Sequence, residues 1–130
     1  MKRPEDSIPE PVRRFVLSRV GSVPFLEAAR IFHSHPTSTQ TITKVAGDLY
    51  VRKDVAAKLL EELVGAGVIT KLSHSRGYIF NATDTELVSA LDQLFACYAT
   101  NLVGVTNLIH NRTLRSAERF SDAFKWRKDS

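Results

Sequence analysis

The chain has 130 residues, 43% apolar and 25% charged, enough for one hydrophobic core and inconsistent with a disordered chain. Its formal charge of +4 permits an anionic partner without demanding one. The single cysteine, Cys97, excludes an internal disulfide and a cysteine-rich zinc site. One thiol and a charged start, Met1-Lys2-Arg3, with no apolar leader give a cytoplasmic expectation. The longest uncharged run, Gln93 to Ile109, contains Thr100, Asn101, Gly104, Thr106 and Asn107 and is short for a membrane span, so no membrane partner is expected.

A flexible lead is expected to about Ser7, with Pro4, Pro9 and Pro11 at extended or helix-starting positions. Val12, Phe15, Val16 and Val20 predict a helix from Glu10 to about Val20. Gly21-Ser22 breaks it. A second helix follows, with Ser22 as N-cap and Pro24 in its first turn, carrying Phe25, Leu26, Ala29, Ile31 and Phe32 until Pro36 stops it. Residues 36–40 read as a loop or a short edge strand. Thr41 caps a short helix to about Leu49, with Ile42, Val45, Ala46 and Leu49 inward.

A tight turn at Tyr50-Val51 leads into a longer helix, Arg52 to Val64, that buries Ala56, Leu59, Leu60 and Leu63 and partly covers Val55. Gly65 and Gly67 end it. Val68, Ile69 and Leu72, then Tyr78, Ile79 and Phe80, flank His74-Ser75-Arg76-Gly77 and predict a β-hairpin. Thr83-Asp84-Thr85-Glu86 reads as a capping box with Thr83 as N-cap. The helix it opens runs to about His110, with an apolar stripe Leu87, Leu91, Leu94, Tyr98, Leu102, Val105, Ile109 and a second row that includes Phe95. A final helix is expected at about 114–125, with Phe120 and Phe124 on one face.

Charge is unevenly distributed. It is +2 over residues 1–20, balanced over 21–41, +2 over 42–82, −3 over 83–111 and +3 over 112–130. A basic region suits an anion; a long apolar segment without lysine or arginine suits a hidden surface.

The order of helix, helix, short helix, tight turn, longer helix, glycine stop and hairpin resembles a winged helix-turn-helix. The stretch Ile42 to Ile69 carries the likeness most closely. Ala46 stands at the small-residue position where two helices cross, Leu49 and Val51 at the apolar positions around the turn, and Leu63 with Gly67-Val68-Ile69 at the exit into the wing. Tyr50 stands where the turn often has glycine, and Arg52 where a polar N-cap is usual. The whole layout is similar to MarR-like bacterial regulators. The segments Ser22 to Ala28, Asn107 to His110 and Glu118 to Asp129 resemble a group of small bacterial winged-helix proteins, a likeness that supplies no effector.

The fold class implied is mainly α with a small β-hairpin wing. The expected divisions are an N-terminal lead and helix (1–22), a winged helix-turn-helix (23–82), a long dimerisation helix (83–111) and a basic C-terminal helix or tail (112–130). The resemblance implies binding to double-stranded DNA, with the helix at 52–64 in the major groove. Its contacts would be Arg52, Lys53, Ala57 and Lys58 on that helix and Lys44 on the preceding one. His74, Ser75 and Arg76 at the hairpin tip would meet the backbone or minor groove. A winged-helix adaptor that binds protein is the other reading. The wide stripe Leu87, Leu91, Leu94, Phe95, Tyr98, Leu102, Val105 and Ile109 is expected to be covered by a second copy, giving a homodimer; the alternative is that the flanking helices cover it within one chain.

No Gly-rich phosphate loop, nucleophile triad or paired-carboxylate cleft can be drawn, so an enzyme is not expected. His33 and His35 lack a further ligand at metal spacing, and neither metal nor cofactor is expected.

Overall fold

The computed structural model describes residues 3–111; the expected helix at 114–125, with Phe120, Phe124 and the basic tail, lies outside them. The described chain is mainly helical with a small antiparallel sheet of three strands. No described helix is long and apolar enough to cross a membrane. The described residues form two compact units, one of Val23–Ala96 and one that joins residues 3–22 to residues 97–111.

The unit of Val23–Ala96 contains α2 (Val23–Ser34), β1 (Gln40–Thr41), α3 (Ile42–Leu49), α4 (Lys53–Gly65), β2 (Ile69–Lys71), β3 (Gly77–Phe80) and most of α5 (Thr85–Thr100). α2, α3 and α4 pack on one another, and the sheet packs against α2, α3 and α4. Buried alanines, Ala28 and Ala29 on α2, Ala46 on α3 and Ala56 on α4, accompany this packing, with Phe32, Val45, Leu60 and Leu63 filling the centre. Small side chains let helix axes approach while the larger ones supply the apolar area. Val55 and Val64 are the exceptions on α4, each 40% exposed.

Local chemistry sets the ends of these elements. Thr41 is extended, and its Oγ1 accepts a hydrogen bond from the Lys44 amide at 3.2 Å, capping α3 as its position predicts. At the other end Tyr50 adopts the left-handed conformation (φ 57°, ψ 43°), and the Val51 amide reaches back to the Ala46 carbonyl at 3.0 Å. Gly67 takes a positive φ of 79° where the chain leaves α4 for β2. Between the strands, Leu72 N–H donates to the Gly77 carbonyl at 3.0 Å and closes the hairpin tip. β3 is the central strand, paired with β2 on one side and β1 on the other. The register sets Gln40 opposite Tyr78 and Thr41 opposite Gly77. A Cβ on Gly77 would fall on Thr39 Cγ2, so glycine there permits the close β1–β3 approach.

The N-cap of α5 is Asp84, not Thr83. Asp84 Oδ1 accepts from Leu87 N–H at 3.1 Å, whereas Thr83 Oγ1 donates to Asn81 Oδ1 at 2.6 Å. Aspartate wins because its carboxylate also complements the positive end of the helix dipole. Within the same unit His33, near the end of α2, hydrogen-bonds Asp92 of α5 at 2.6 Å and lies beside the Phe80 and Phe95 rings.

In the other unit, the expected flexible lead is instead a 3-10 turn at Pro4–Ser7 with Glu5 buried. Arg13 Nη2 donates to the Glu5 carbonyl at 2.7 Å, and Asn107 Nδ2 donates to Glu5 Oε2 at 3.2 Å. α1 (Glu10–Arg19) follows, and Ile8, Val12, Val16 and Val20 make a buried row at four-residue spacing.

The single helix expected over 83–111 is broken. α5 ends at Thr100, Asn101 is not helical, and a further helix, α6, occupies residues 102–111. Asn101 Oδ1 accepts from Gly104 N–H at 3.0 Å, which makes it the N-cap of α6. Its Nδ2 donates to the Pro4 carbonyl at 2.8 Å. The apolar stripe is also buried within one chain: Leu87, Leu91, Leu94, Phe95, Tyr98, Val105 and Ile109 are each at most 9% exposed. These seven are core residues, and the need for a second copy to cover them falls away. Leu102 alone of the expected interface stays open, 56% exposed beside an equally exposed Val103.

Two substitutions test these constraints. Tyr50→Gly removes the left-handed penalty at a side chain that is 95% exposed; we expect stability to rise by about 1 kcal/mol in urea unfolding. Gly104→Ala places a Cβ within 2.7 Å of both the Pro4 carbonyl and the Asn101 side chain; we expect a loss of roughly 1–3 kcal/mol by the same measurement.

Candidate nucleic-acid interface

The leading end of α4, the start of α3 and the hairpin tip meet around one open cleft of about 510 Å³. Thr41, Ile42, Thr43, Lys53, Asp54, Ala57 and Arg76 line it. The strand register explains the meeting. Thr41 pairs with Gly77, so β1 carries the start of α3 to the residue next to Arg76. The left-handed turn at Tyr50 ends α3 and lets α4 begin at Lys53, two residues after Val51.

Of the sequence-predicted contacts, the cleft gathers Lys53, Ala57 and Arg76. Lys53 and Arg76 are exposed, and neither has an ion pair among the described residues. Lys58 is likewise exposed and unpaired but lies outside the cleft lining. His74 and Ser75 are exposed at the hairpin tip, where Ser75 Oγ accepts from Gly77 N–H at 3.1 Å. Ser75 therefore shapes the tip as well as occupying it.

Two expected contacts are already engaged. Lys44 Nζ pairs with Asp48 at 3.1 Å along α3. Arg52 is extended (φ −70°, ψ 155°) at the N-cap of α4 and gives α4 no side-chain cap. Instead its Nε donates to Asp54 Oδ1 at 2.9 Å and its Nη2 to Asp54 Oδ2. Both side chains remain largely in solvent, 81% and 63% exposed.

The sequence reading missed Thr41, Ile42, Thr43 and Asp54 as cleft residues, and Lys71 as a further exposed, unpaired cation on β2. Thr41 and Thr43 follow from the β1–β3 pairing, for which Gln40-Thr41 gives too short a signal. Asp54 was visible as the only carboxylate in the first turn of α4.

The Arg52 guanidinium beside it holds the Asp54 carboxyl below the usual aspartate range; slight desolvation opposes this, and the Val55 and Asp54 backbone N–H groups assist. The same bond raises Arg52. Elsewhere, burial pushes the half-buried Cys97 thiol up, away from nucleophilic chemistry. No protein family, curated protein or solved structure matches the chain.

The charge pair predicts a titration. Asp54 should titrate below the ordinary aspartate value near ~3.9, and Arg52→Ala should return it towards that value. The pair's contribution is complete above the unfolded-state value and fades as pH falls through the lower folded one. Carboxyl-carbon NMR titration of both proteins checks this, and coincident midpoints would refute it.

Proposed function

We propose that Val23–Ala96 is a winged helix-turn-helix and that the chain is a DNA-binding regulator of transcription. α4 would enter the major groove, and the hairpin tip would contact the backbone or minor groove. The observation that carries this reading is the cleft where Lys53 and Ala57 of α4 share a lining with Arg76 of the hairpin. A helix N-terminus with unpaired cations beside it attracts phosphate. Ala57, small and half-buried, leaves room for close approach to a groove wall.

The element order helix, strand, helix, helix, strand, strand supports the same reading, as do the positions of the free cations Lys53, Lys58, Lys71 and Arg76 on α4 and the hairpin. Lys44 and Arg52 would serve it only if their carboxylate partners yield or share them. A second copy is not needed to cover α5. Pairing of protomers on paired half-sites would draw on other surface, and Leu102 and Val103, each 56% exposed, are the exposed large apolar residues of α6.

One observation favours the adaptor reading, in which the same unit binds protein. Val23–Ala96 holds seven Lys/Arg against eight Asp/Glu, so its overall charge supplies no long-range pull on DNA.

Fluorescence anisotropy on genomic duplexes across salt concentrations separates the two readings. On the DNA reading, binding weakens steeply with salt. A Lys53→Ala, Lys58→Ala, Arg76→Ala protein should lose at least about tenfold in affinity at low salt, and its log–log slope should shrink by about 2–3. Absence of duplex binding at low salt by the unmutated chain would sink the DNA reading in favour of the adaptor.

A further inference from the structure

We propose that Arg52 and Asp54 act as one unit that reads a guanine edge, with Asp54 as the positioning residue. This rests on the DNA-binding reading of the same site and assigns its base preference. The geometry of the pair is the warrant. Asp54 takes the side edge of the guanidinium, through Nε and one Nη2 hydrogen. A guanidinium has five N–H groups in a planar fork. The end edge, formed by Nη1 and the second Nη2 hydrogen, is therefore left free, and Arg52 is 81% exposed. Two parallel donors on that edge match O6 and N7 of guanine in the major groove.

Placement agrees with this role. Arg52 is the N-cap of α4 and Asp54 its second residue, at the end assigned to the groove. Asp54 also lines the cleft with Lys53, Ala57 and Arg76. A free arginine would have to freeze several rotatable bonds on meeting a base; the bidentate carboxylate restricts them beforehand. The same carboxylate lies where phosphate oxygens would approach and repels them. Asp54 thus has two effects of opposite sign. It lowers affinity for DNA of arbitrary sequence and raises discrimination for guanine at one position.

The test uses the duplex recovered by the full chain from a random-sequence pool, and that duplex with each guanine in turn replaced by 7-deazaguanine, which lacks N7. For the unmutated chain we expect one position where the replacement weakens binding about tenfold or more. In Asp54→Asn the loss at that position should shrink to about threefold or less, while affinity for a random duplex stays equal or rises. Arg52→Lys, which keeps the charge without the fork, should show no penalty there. Circular dichroism confirms that both variants are folded, as expected for exposed positions.

Full discrimination retained by Asp54→Asn would overturn the positioning role and leave the DNA reading intact. A uniform loss of affinity for all duplexes in Asp54→Asn would do the same. Failure of the unmutated chain to bind any duplex would overturn both.

Discussion

The left-handed turn at Tyr50 is the constraint on which the arrangement of α3 and α4 depends. One residue with φ 57° and ψ 43° ends α3, and the Val51 amide bonding to Ala46 secures the end. α4 then starts within three residues, close enough to pack on α3. A longer connection would free α4 from this placement, and its leading residues would no longer share a cleft with the start of α3. Tyrosine pays a steric penalty in this conformation that glycine would not. Its side chain, 95% exposed, recovers none of it through packing. The strain is thus borne by the buried contacts of the neighbouring helices, Val45 and Ala46 on one side and Ala56 and Leu60 on the other.

The second constraint is the β1–β3 ladder. Two residues make a weak strand by themselves, yet Thr41 serves it and α3 at once, as Gly77's partner and as the helix N-cap. The hairpin and α3 are thereby tied through one residue. Gly77 keeps the approach close because any side chain there would meet Thr39. The cleft at Arg76 follows from this pairing, with no contribution from a long loop.

Much of the unit from Val23 to Phe80 was legible because its signals are local. Thr41 as a cap, Gly67 at a positive φ, the buried positions of α4 and the apolar residues of the hairpin each follow from neighbours within a few residues. The long helix misled for a definite reason. Its apolar spacing continues through Asn101 without interruption, so periodicity carries no sign of the break. The break depends on Asn101 capping α6 and donating to the carbonyl of Pro4, 97 residues away in sequence. The burial of the stripe is likewise tertiary, and no periodicity states whether one chain or two provide cover. Net charge over a segment hid which cations are free, because Lys44 and Arg52 are neutralised by Asp48 and Asp54 within four residues of themselves.

That pairing bears on how such a surface would recognise DNA. With Lys44 and Arg52 engaged, four unpaired cations remain on Val23–Ala96: Lys53, Lys58, Lys71 and Arg76. Even if each met a phosphate, the log–log salt slope from this unit would be at most about −3.6. Binding carried by those contacts alone would then fall roughly a hundredfold between 50 and 200 mM salt. A unit with eight acidic residues also gains little from long-range attraction. Sequence-independent contacts would therefore be too few to hold it on a duplex under physiological salt, and base-edge contacts would have to supply the difference. The side-on pairing of Arg52 with Asp54 is then more intelligible as a readout element than as a neutralised surface pair. On the DNA reading, a carboxylate lining the cleft would be costly unless it improved discrimination, and its side-on bonds leave the end edge of the arginine free to do so.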